Sequence, residues 1–203
     1  MTNATRIHDL LQSNLPFFAR NTLKIKNKEH GTIIPFVFNR AQEYLHSRIE
    51  KQIADKGRAR IIILKGRQQG CSTYVSARFY HKCTRHKGKA VFILSHEYQT
   101  TNKLFAMVDR FQQHCPDAIK PHTDVYNNKQ IKFDRLDSEY TTGTAGNEDV
   151  GRGGTLQYFH GSEVGFWENT DGIETGIMQS IADVDNTEII LESTANGMGN
   201  MFH

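Results

Sequence analysis

The sequence lacks any hydrophobic run long enough to cross a membrane. Its longest obvious apolar run covers residues 61–64, far below the roughly 18 residues that a spanning helix requires. Near the start of the chain, Arg6, His8 and Asp9 interrupt any apolar segment, so we expect no signal peptide. These absences argue against an integral membrane protein, and we expect no membrane partner.

Cysteine and net charge are also low. The three cysteines, Cys71, Cys83 and Cys115, have no paired spacing, so we expect reduced thiols in a cytoplasmic setting. The net charge of +3 is too small to indicate a nucleic-acid partner by itself. Basic stretches at residues 24–28 and 81–89 permit a DNA partner, but ordinary solvated segments have the same composition.

What is present is the composition of a globular protein. A length of 203 residues suits one domain, or one domain with an appended subdomain, and 37 % hydrophobic residues can form a real core. The first 58 residues are expected to form a separate N-terminal segment. Its predicted elements are a helix within residues 1–21 that ends near Pro16, short strands at 23–25 and 33–38, and a helix over 40–54 capped by Asn39.

From residue 59 the pattern alternates between strands and helices. We predict strands at 60–65, 90–95, 156–160 and 188–191, helices at 72–85, 98–114 and 171–182, and a small inserted β-hairpin at 130–133 and 139–143. The apolar runs of the strands indicate that both of their faces are buried. This rhythm predicts an α/β fold with a mainly parallel sheet flanked by helices, which binds ligands at the carboxyl ends of its strands.

A glycine-bearing loop follows the first of these strands and leads into a helix. Backbone N–H groups and a helix N-terminus converge there, as in a phosphate-binding loop. The pattern Gly-x-x-x-x-Gly-Lys-Ser/Thr fails at two positions, since Lys65 replaces the first glycine and Cys71 the lysine. Lys65 or Arg67 is able to supply the cation, but a plain strand-to-helix turn fits the spacing equally well. The loop comprises Lys65, Gly66, Arg67, Gln68, Gln69, Gly70, Cys71, Ser72 and Thr73.

A carboxylate ends the strand predicted at 156–160. Glu163 is placed to polarise a water that attacks a phosphate, although a residue favoured by a helix dipole is the alternative. The loop string Gly-Arg-Gln-Gln-Gly-Cys-Ser-Thr and the string Ser-Glu-Val-Gly-Phe-Trp together resemble the ATPase domain of phage terminase large subunits. The resemblance implies a P-loop ATPase of the additional-strand (RecA-like) class. It also implies that Ser162 stands where many members carry a metal-orienting aspartate, with Glu168 or Asp149 as candidates to compensate.

The same resemblance assigns roles to other residues. Arg152 corresponds to an arginine finger, although a DNA contact is the alternative, and Gln42 corresponds to an adenine-binding glutamine. The strand tip corresponds to a segment that couples ATP turnover to DNA movement. The metal would be bound by Ser72 or Thr73 and, indirectly, by Ser162. The coupling residues are Ser193, Thr194, Ala195, Asn196 and Gly197.

The function implied by the resemblance is packaging of double-stranded DNA into a procapsid. ATP and Mg²⁺ are the implied cofactors, and the implied partners are DNA, a portal protein, a small terminase subunit and further copies in a ring. The implied location is the bacterial host cytoplasm, for a phage or prophage gene. A further core strand, a lid and a nuclease domain are expected beyond residue 203. We therefore expect this chain to lack the nuclease, and residues 59–203 to form an ATPase core that is either excised or truncated. The alternatives are an inactive remnant that binds nucleotide, DNA or portal, and a superfamily 2-type helicase fragment.

Overall fold

The computed structural model describes residues 3–145, 154–168, 176 and 179–203. The predicted α/β class is confirmed, because a mostly parallel seven-stranded sheet is flanked by helices. The helices in this part of the chain are α1 (Asn3–Ser13), α2 (Leu15–Thr22), α3 (Arg40–Lys56), α4 (Cys71–Arg85) and α5 (Tyr98–Gln113). The strands are β1 (Lys24–Lys26), β2 (Ile33–Pro35), β3 (Ala59–Leu64), β4 (Ala90–Ser95), β5 (Val125–Tyr126), β6 (Gln130–Phe133), β7 (Ser138–Thr144), β8 (Tyr158–Ser162) and β9 (Glu188–Ser193).

The strand order in the main sheet is β3-β9-β8-β4-β7-β6-β5. The first five strands in this order run parallel, so their carboxyl ends meet at one edge. The register places Leu64 beside Ser193 and Ser162 beside Glu192. Residues that are far apart in sequence are therefore neighbours at the edge where this class of fold binds ligands.

The predicted β-hairpin is present as β6 and β7, which pair antiparallel. Strand β7 also pairs in parallel with β4, so the hairpin continues the main sheet and does not lie beside it. Strand β5 adds to the far edge of β6. The antiparallel edge on a parallel sheet is an ordinary mixed arrangement.

One N-terminal prediction needs correction. The first helix does not end at Pro16, because Pro16 lies in the first turn of α2, where its missing N–H costs nothing. The Asn14 side chain caps that turn by accepting from the N–H of Phe17 at 2.8 Å. Buried residues of α2 and α3 share one core cluster with the main sheet.

The prediction that β3 is buried on both faces is wrong. Ile62 and Leu64 are each 69 % exposed, because β3 is an edge strand and no described element covers that face. Strand β8, by contrast, is buried throughout, as expected, but it lies two residues further along than predicted. Most of the helix predicted at 171–182 lies outside the described residues. In the described part of the chain, no helix is long and apolar enough to span a bilayer.

A buried ion network ties α4 to the sheet and to α3. Arg78, in the middle of α4, is 1 % exposed and donates to both carboxylate oxygens of Glu188 on β9, at 2.6 and 2.9 Å. It also donates to Glu50 of α3 at 2.6 Å. Burial opposes its charge, but Glu188 and Glu50 raise the pKa of Arg78 well above the ordinary value. The network therefore fixes the helix that follows the glycine-bearing loop.

We predict that Arg78→Met destabilises the protein by about 3–5 kcal/mol, since the buried Glu188 would lose its two hydrogen bonds to Arg78 and keep only the longer contact with Lys82 Nζ at 3.7 Å. The measurement is the urea unfolding midpoint with its slope. Lys51→Met is the matched control, because its exposed pair with Asp55 contributes about 0.5 kcal/mol or less. Equal losses in the two variants would contradict a structural role for the buried network.

Candidate functional site

The candidate site lies at the carboxyl ends of β3, β9 and β8, next to the N-terminus of α4. The loop between β3 and α4 makes a tight turn, in which Gln68 and Gly70 have φ angles of 65° and 78°. The N-terminus of a helix attracts anions through its exposed N–H groups and its dipole. The local conformation is thus suited to binding phosphate.

Side chains outside the loop hold three consecutive loop carbonyls. The carbonyls of Gln68, Gln69 and Gly70 accept from Lys28 Nζ at 3.4 Å, Asn39 Nδ2 at 3.1 Å and Gln42 Nε2 at 2.8 Å, respectively. Because the C=O and the following N–H of a trans peptide point in opposite directions, the N–H groups of residues 69–71 face away from these anchors. The loop is therefore fixed with its donors directed away from α3.

Lys65 lies at the centre of the site. Its Nζ is 3.1 Å from Glu163 Oε1, 3.1 Å from Glu192 Oε2 and 3.1 Å from Ser72 Oγ. Burial opposes its charge, but Glu192 and Glu163 raise the pKa of Lys65 above the ordinary value. The structure thus brings together Lys65, Ser72 and Glu163, three residues that the sequence singled out.

Glu192 is a site residue that sequence reasoning missed. Its carboxylate is completely buried and accepts from His160 Nε2 and Ser162 Oγ, each at 3.1 Å. Burial raises its pKa, but His160 and Lys65, with a hydrogen bond from Ser72, outweigh this and lower the pKa to about 2. The signal was available in the alternation along β9, which places Glu188, Ile190 and Glu192 on one buried face.

Glu163 has an unusual backbone conformation at the end of β8. Its φ of 56° and ψ of 44° lie in the left-handed region, which a residue with a Cβ adopts at a cost. Its Oε2 is 3.4 Å from the backbone N of Thr194 and 3.5 Å from the Thr194 hydroxyl. The carboxylate thus lies between Lys65 and the strand tip.

The predicted coupling segment contacts the turn after Glu163. The N–H of Gly165 donates to Ser193 Oγ at 3.1 Å, and Asn196 Nδ2 donates to the Gly165 carbonyl at 2.7 Å. A Cβ at Gly165 would lie 2.9 Å from Ser193 Oγ, so a larger residue there would displace the Ser193 hydroxyl. Ala195 and Gly197 are exposed next to these contacts.

The remaining loop residues differ in their surroundings. Arg67 is exposed, whereas Cys71 is buried, and burial together with Glu192 raises the pKa of its thiol. Thr73 directs its hydroxyl to Met107 Sδ at 3.4 Å, away from Lys65. Ser72 is therefore the hydroxyl that is placed beside the cation of the loop.

Gln42 is 3 % exposed, and both ends of its amide are used within the chain. Its Oε1 accepts from the Asn39 N–H at 2.9 Å in a capping box, and its Nε2 binds the Gly70 carbonyl. It therefore joins the start of α3 to the loop. The predicted adenine contact stays a prediction.

The residues proposed around a metal have distinct positions. Ser162 is 1 % exposed and donates to Glu192, and Glu168 is exposed. Arg152 and Asp149 lie outside the described residues. In the described part of the chain, no cluster of three or more His, Cys, Asp or Glu side chains is arranged to hold an ion unaided. The Ser72 hydroxyl and the two carboxylates are hard oxygen donors, which suit a Mg²⁺ ion bound mainly through phosphates and water.

A cleft of about 1100 Å³ adjoins the loop. It lies between the β1–β2 hairpin and α5, and Gln42 and Gly70 are among the residues that line it. Its walls combine apolar and cationic side chains, including Phe36, Met107, Phe111, Lys26, Lys103 and Arg110. The cleft thus has both an apolar surface for a flat ring and positive charge for an anion.

We predict a specific effect of pH on stability at Glu192. Its pKa is about 2 in the folded protein against an ordinary value of 4.5, so its ionised form stabilises the fold above pH 4.5 and this contribution is lost as pH falls towards 2. Glu192→Gln lacks this contribution. The difference in free energy of unfolding between the unaltered protein and the variant should therefore decrease by about 2 kcal/mol when the pH is lowered from about 6 to about 3.

The measurement is the urea midpoint at each pH. Glu139→Gln, which alters a carboxylate at the start of β7, away from the site, is measured alongside as the control. A gap for Glu192→Gln that stays constant down to pH 3 would contradict the lowered pKa.

No protein-family model and no curated protein matches this sequence. Among solved structures, the chain is similar to the large terminase of bacteriophage HK97, with a TM-score of 0.70 and 13 % sequence identity over 95 % of this chain and 38 % of that one. It is also similar to the large terminase ATPase domain of Thermus phage P74-26, with a TM-score of 0.56 and 20 % identity over 72 % of this chain and 62 % of that one.

A point mutant of the same Thermus phage domain is similar at a TM-score of 0.59 and 19 % identity, over 81 % of this chain and 67 % of that one. The chain spans less than two thirds of the HK97 protein and of the unaltered Thermus phage domain. At these identities the likeness concerns the fold. The chain therefore has the RecA-like P-loop fold of phage large terminase ATPase domains, as the resemblance of its motifs implied.

Proposed function

We propose that this chain is the ATPase part of a viral DNA-packaging motor, which hydrolyses ATP to move double-stranded DNA into a procapsid. The observation that carries the proposal is the position of Lys65, whose Nζ is 3.1 Å from both Glu163 and Ser72 at the start of α4. The proposed phosphate-binding cation, Lys65, is thus within hydrogen-bonding distance of two other groups. These are the proposed metal-binding hydroxyl of Ser72 and the proposed water-activating carboxylate of Glu163. Phosphoryl transfer requires mainly such positioning and charge.

In this proposal the loop at residues 65–73 binds the phosphates of ATP. The N–H groups of residues 69–71 and the N-terminus of α4 donate to phosphate oxygens, and Ser72 contributes to the metal site. Mg²⁺ held near Ser72 would supply positive charge to the transferred phosphoryl group. Lys65 is a better candidate than Arg67 for the phosphate-binding cation, because Lys65 already lies beside Ser72.

Glu163 orients and polarises the attacking water. To do so, its Oε1 must give up the ion pair with Lys65, and phosphate oxygens offer that ammonium a stronger partner. ATP binding and exposure of the general base are therefore linked through one side chain. The contact of Glu163 Oε2 with Thr194 then passes the change to residues 193–197, which supports their coupling role.

The cleft beside the loop is the proposed site of the base and sugar. Its apolar surface at Phe36 and Phe111 suits a ring, and residues 1–58 would thus form the adenine side of the domain. Adenine contact by Gln42 requires its amide to exchange the Gly70 carbonyl for the base.

The assembly and partners belong to the same proposal. Arg152 would act as an arginine finger on a neighbouring copy in a ring. The motor would work in the bacterial cytoplasm with DNA, a portal protein and a small terminase subunit. The competing proposal is an inactive remnant. It is favoured by the absence of the standard lysine at position 71 and of an aspartate at position 162.

We predict that Glu163→Gln keeps ATP binding and loses hydrolysis, because an amide preserves shape but cannot act as a base. Turnover should fall by at least about 100-fold, while affinity for a non-hydrolysable analogue changes by less than about threefold. Phosphate release and fluorescent-nucleotide titration measure the two quantities. Glu139→Gln is the control, and unchanged turnover in Glu163→Gln would sink the assignment. An unaltered chain that binds nucleotide without any turnover would favour the remnant.

A comparison of two variants shows which residue supplies the phosphate-binding cation. Lys65→Ala should weaken binding of the ATP analogue by at least about tenfold, as expected for the loss of a charge-assisted contact. Arg67→Ala, an exposed change in the same loop, should weaken it less. The reverse order in nucleotide titrations would transfer the phosphate role to Arg67.

A further inference from the structure

The site has a carboxylate in a place that the loop and strand motifs do not assign. Ser162 ends β8 at the position where a metal-orienting aspartate is expected, and its side chain carries no charge. Ser162 and Glu192 are paired in register on the adjacent strands β8 and β9. The Ser162 hydroxyl donates to Glu192 Oε1 at 3.1 Å. A carboxylate is therefore present one hydrogen bond away, on the neighbouring strand.

We propose that Glu192 orients the hydrated magnesium ion of the bound nucleotide, in place of an aspartate at position 162. The inference rests on the proposed function, since it assigns a residue to the same nucleotide site. Glu192 would act through the water shell of the ion, as a positioning residue, and Ser162 would hold its carboxylate in place.

Glu192 already faces a cation. Its Oε2 lies 3.1 Å from Lys65 Nζ, and the same ammonium is 3.1 Å from Ser72 Oγ. The Ser72 hydroxyl, which is proposed to bind the metal, and the buried Glu192 carboxylate thus both contact the Lys65 ammonium. In this state the ammonium of Lys65 stands in for the positive charge of the metal ion.

If Lys65 moves away, the two carboxylates around it need another positive charge. Its single ammonium faces two carboxylates, Glu163 and Glu192, and Glu192 is 0 % exposed. A buried carboxylate that loses its partner is strongly destabilising. If Lys65 turned to the phosphates, a divalent ion bound with the nucleotide would supply positive charge next to Glu192.

Two further hydrogen bonds hold the Glu192 carboxylate in one orientation. Its Oε1 accepts from both His160 Nε2 and Ser162 Oγ, which leaves Oε2 directed towards Lys65 and the loop. Hydrogen bonds of this kind orient metal-site carboxylates, and their loss typically lowers metal affinity about 10- to 100-fold. The two donors thus satisfy one oxygen of this fully buried carboxylate and leave the other facing the cation of the site.

The test compares nucleotide affinity with and without magnesium. A fluorescent non-hydrolysable ATP analogue is titrated into the chain in EDTA and in Mg²⁺, and Mn²⁺ binding with the same analogue is followed by electron paramagnetic resonance. In Glu192→Gln the gain in affinity from Mg²⁺ should fall by about tenfold or more. Because the gain is the ratio of two affinities of one protein, a change in the EDTA affinity itself does not affect it, and measurable binding in EDTA shows that the variant is folded.

The double variant Ser162→Asp, Glu192→Gln moves the carboxylate back to β8. It should recover the Mg²⁺ gain and the Mn²⁺ signal, because the negative charge is displaced by about one hydrogen bond only. A purely structural role of Glu192 predicts no such recovery. If Glu192→Gln alone does not fold, the double variant decides the question by the same criterion.

Two results overturn the assignment while leaving the proposed function intact. One is a full Mg²⁺ gain in Glu192→Gln, and the other is a folded double variant that binds nucleotide without recovering the gain. A different result, no nucleotide binding by the unaltered chain in either buffer, overturns the proposed function and the role of Glu192 with it.

Discussion

The ion pairs of Lys65 with Glu163 and Glu192 are the interaction on which the site depends. They join the loop after β3 to the tips of β8 and β9, three segments that are far apart in sequence. Without the ammonium, one partly buried and one fully buried carboxylate would face each other, which is costly. The same ammonium is the group that phosphate would draw away, so one side chain both stabilises the empty site and responds to its ligand.

The rest of the fold keeps these segments in place. Arg78 binds Glu188 at the start of β9, whereas Glu192 faces Lys65 at its end, so α4 and the loop before it are fixed against one strand at two points. On the other side, Asn39 and Gln42 attach the loop to the start of α3. The side chains that the proposed exchange of partners moves, Lys65 and Glu163 with the residues around Thr194, lie at the strand tips.

Sequence patterns predicted the fold class and most elements, because apolar periodicity and turn residues act locally. They failed where tertiary context decides: Pro16 begins a helix, and β3 exposes Ile62 and Leu64 at a sheet edge. Motifs also led to Lys65, Ser72 and Glu163, which the structure brings together. Alternation along β9 marks Glu192 as buried, but its role depends on which strands are neighbours, and strand order is not readable from spacing along the chain.

The most direct test of the account is a crystal structure of this chain with a non-hydrolysable ATP analogue and Mg²⁺. The account predicts phosphates on the N–H groups of residues 69–71, with Lys65 Nζ moved from Glu163 onto a phosphate oxygen. An analogue bound elsewhere, or phosphates on the loop with Lys65 still paired to both carboxylates, would contradict the central claim that this ammonium links nucleotide binding to the carboxylates of the site.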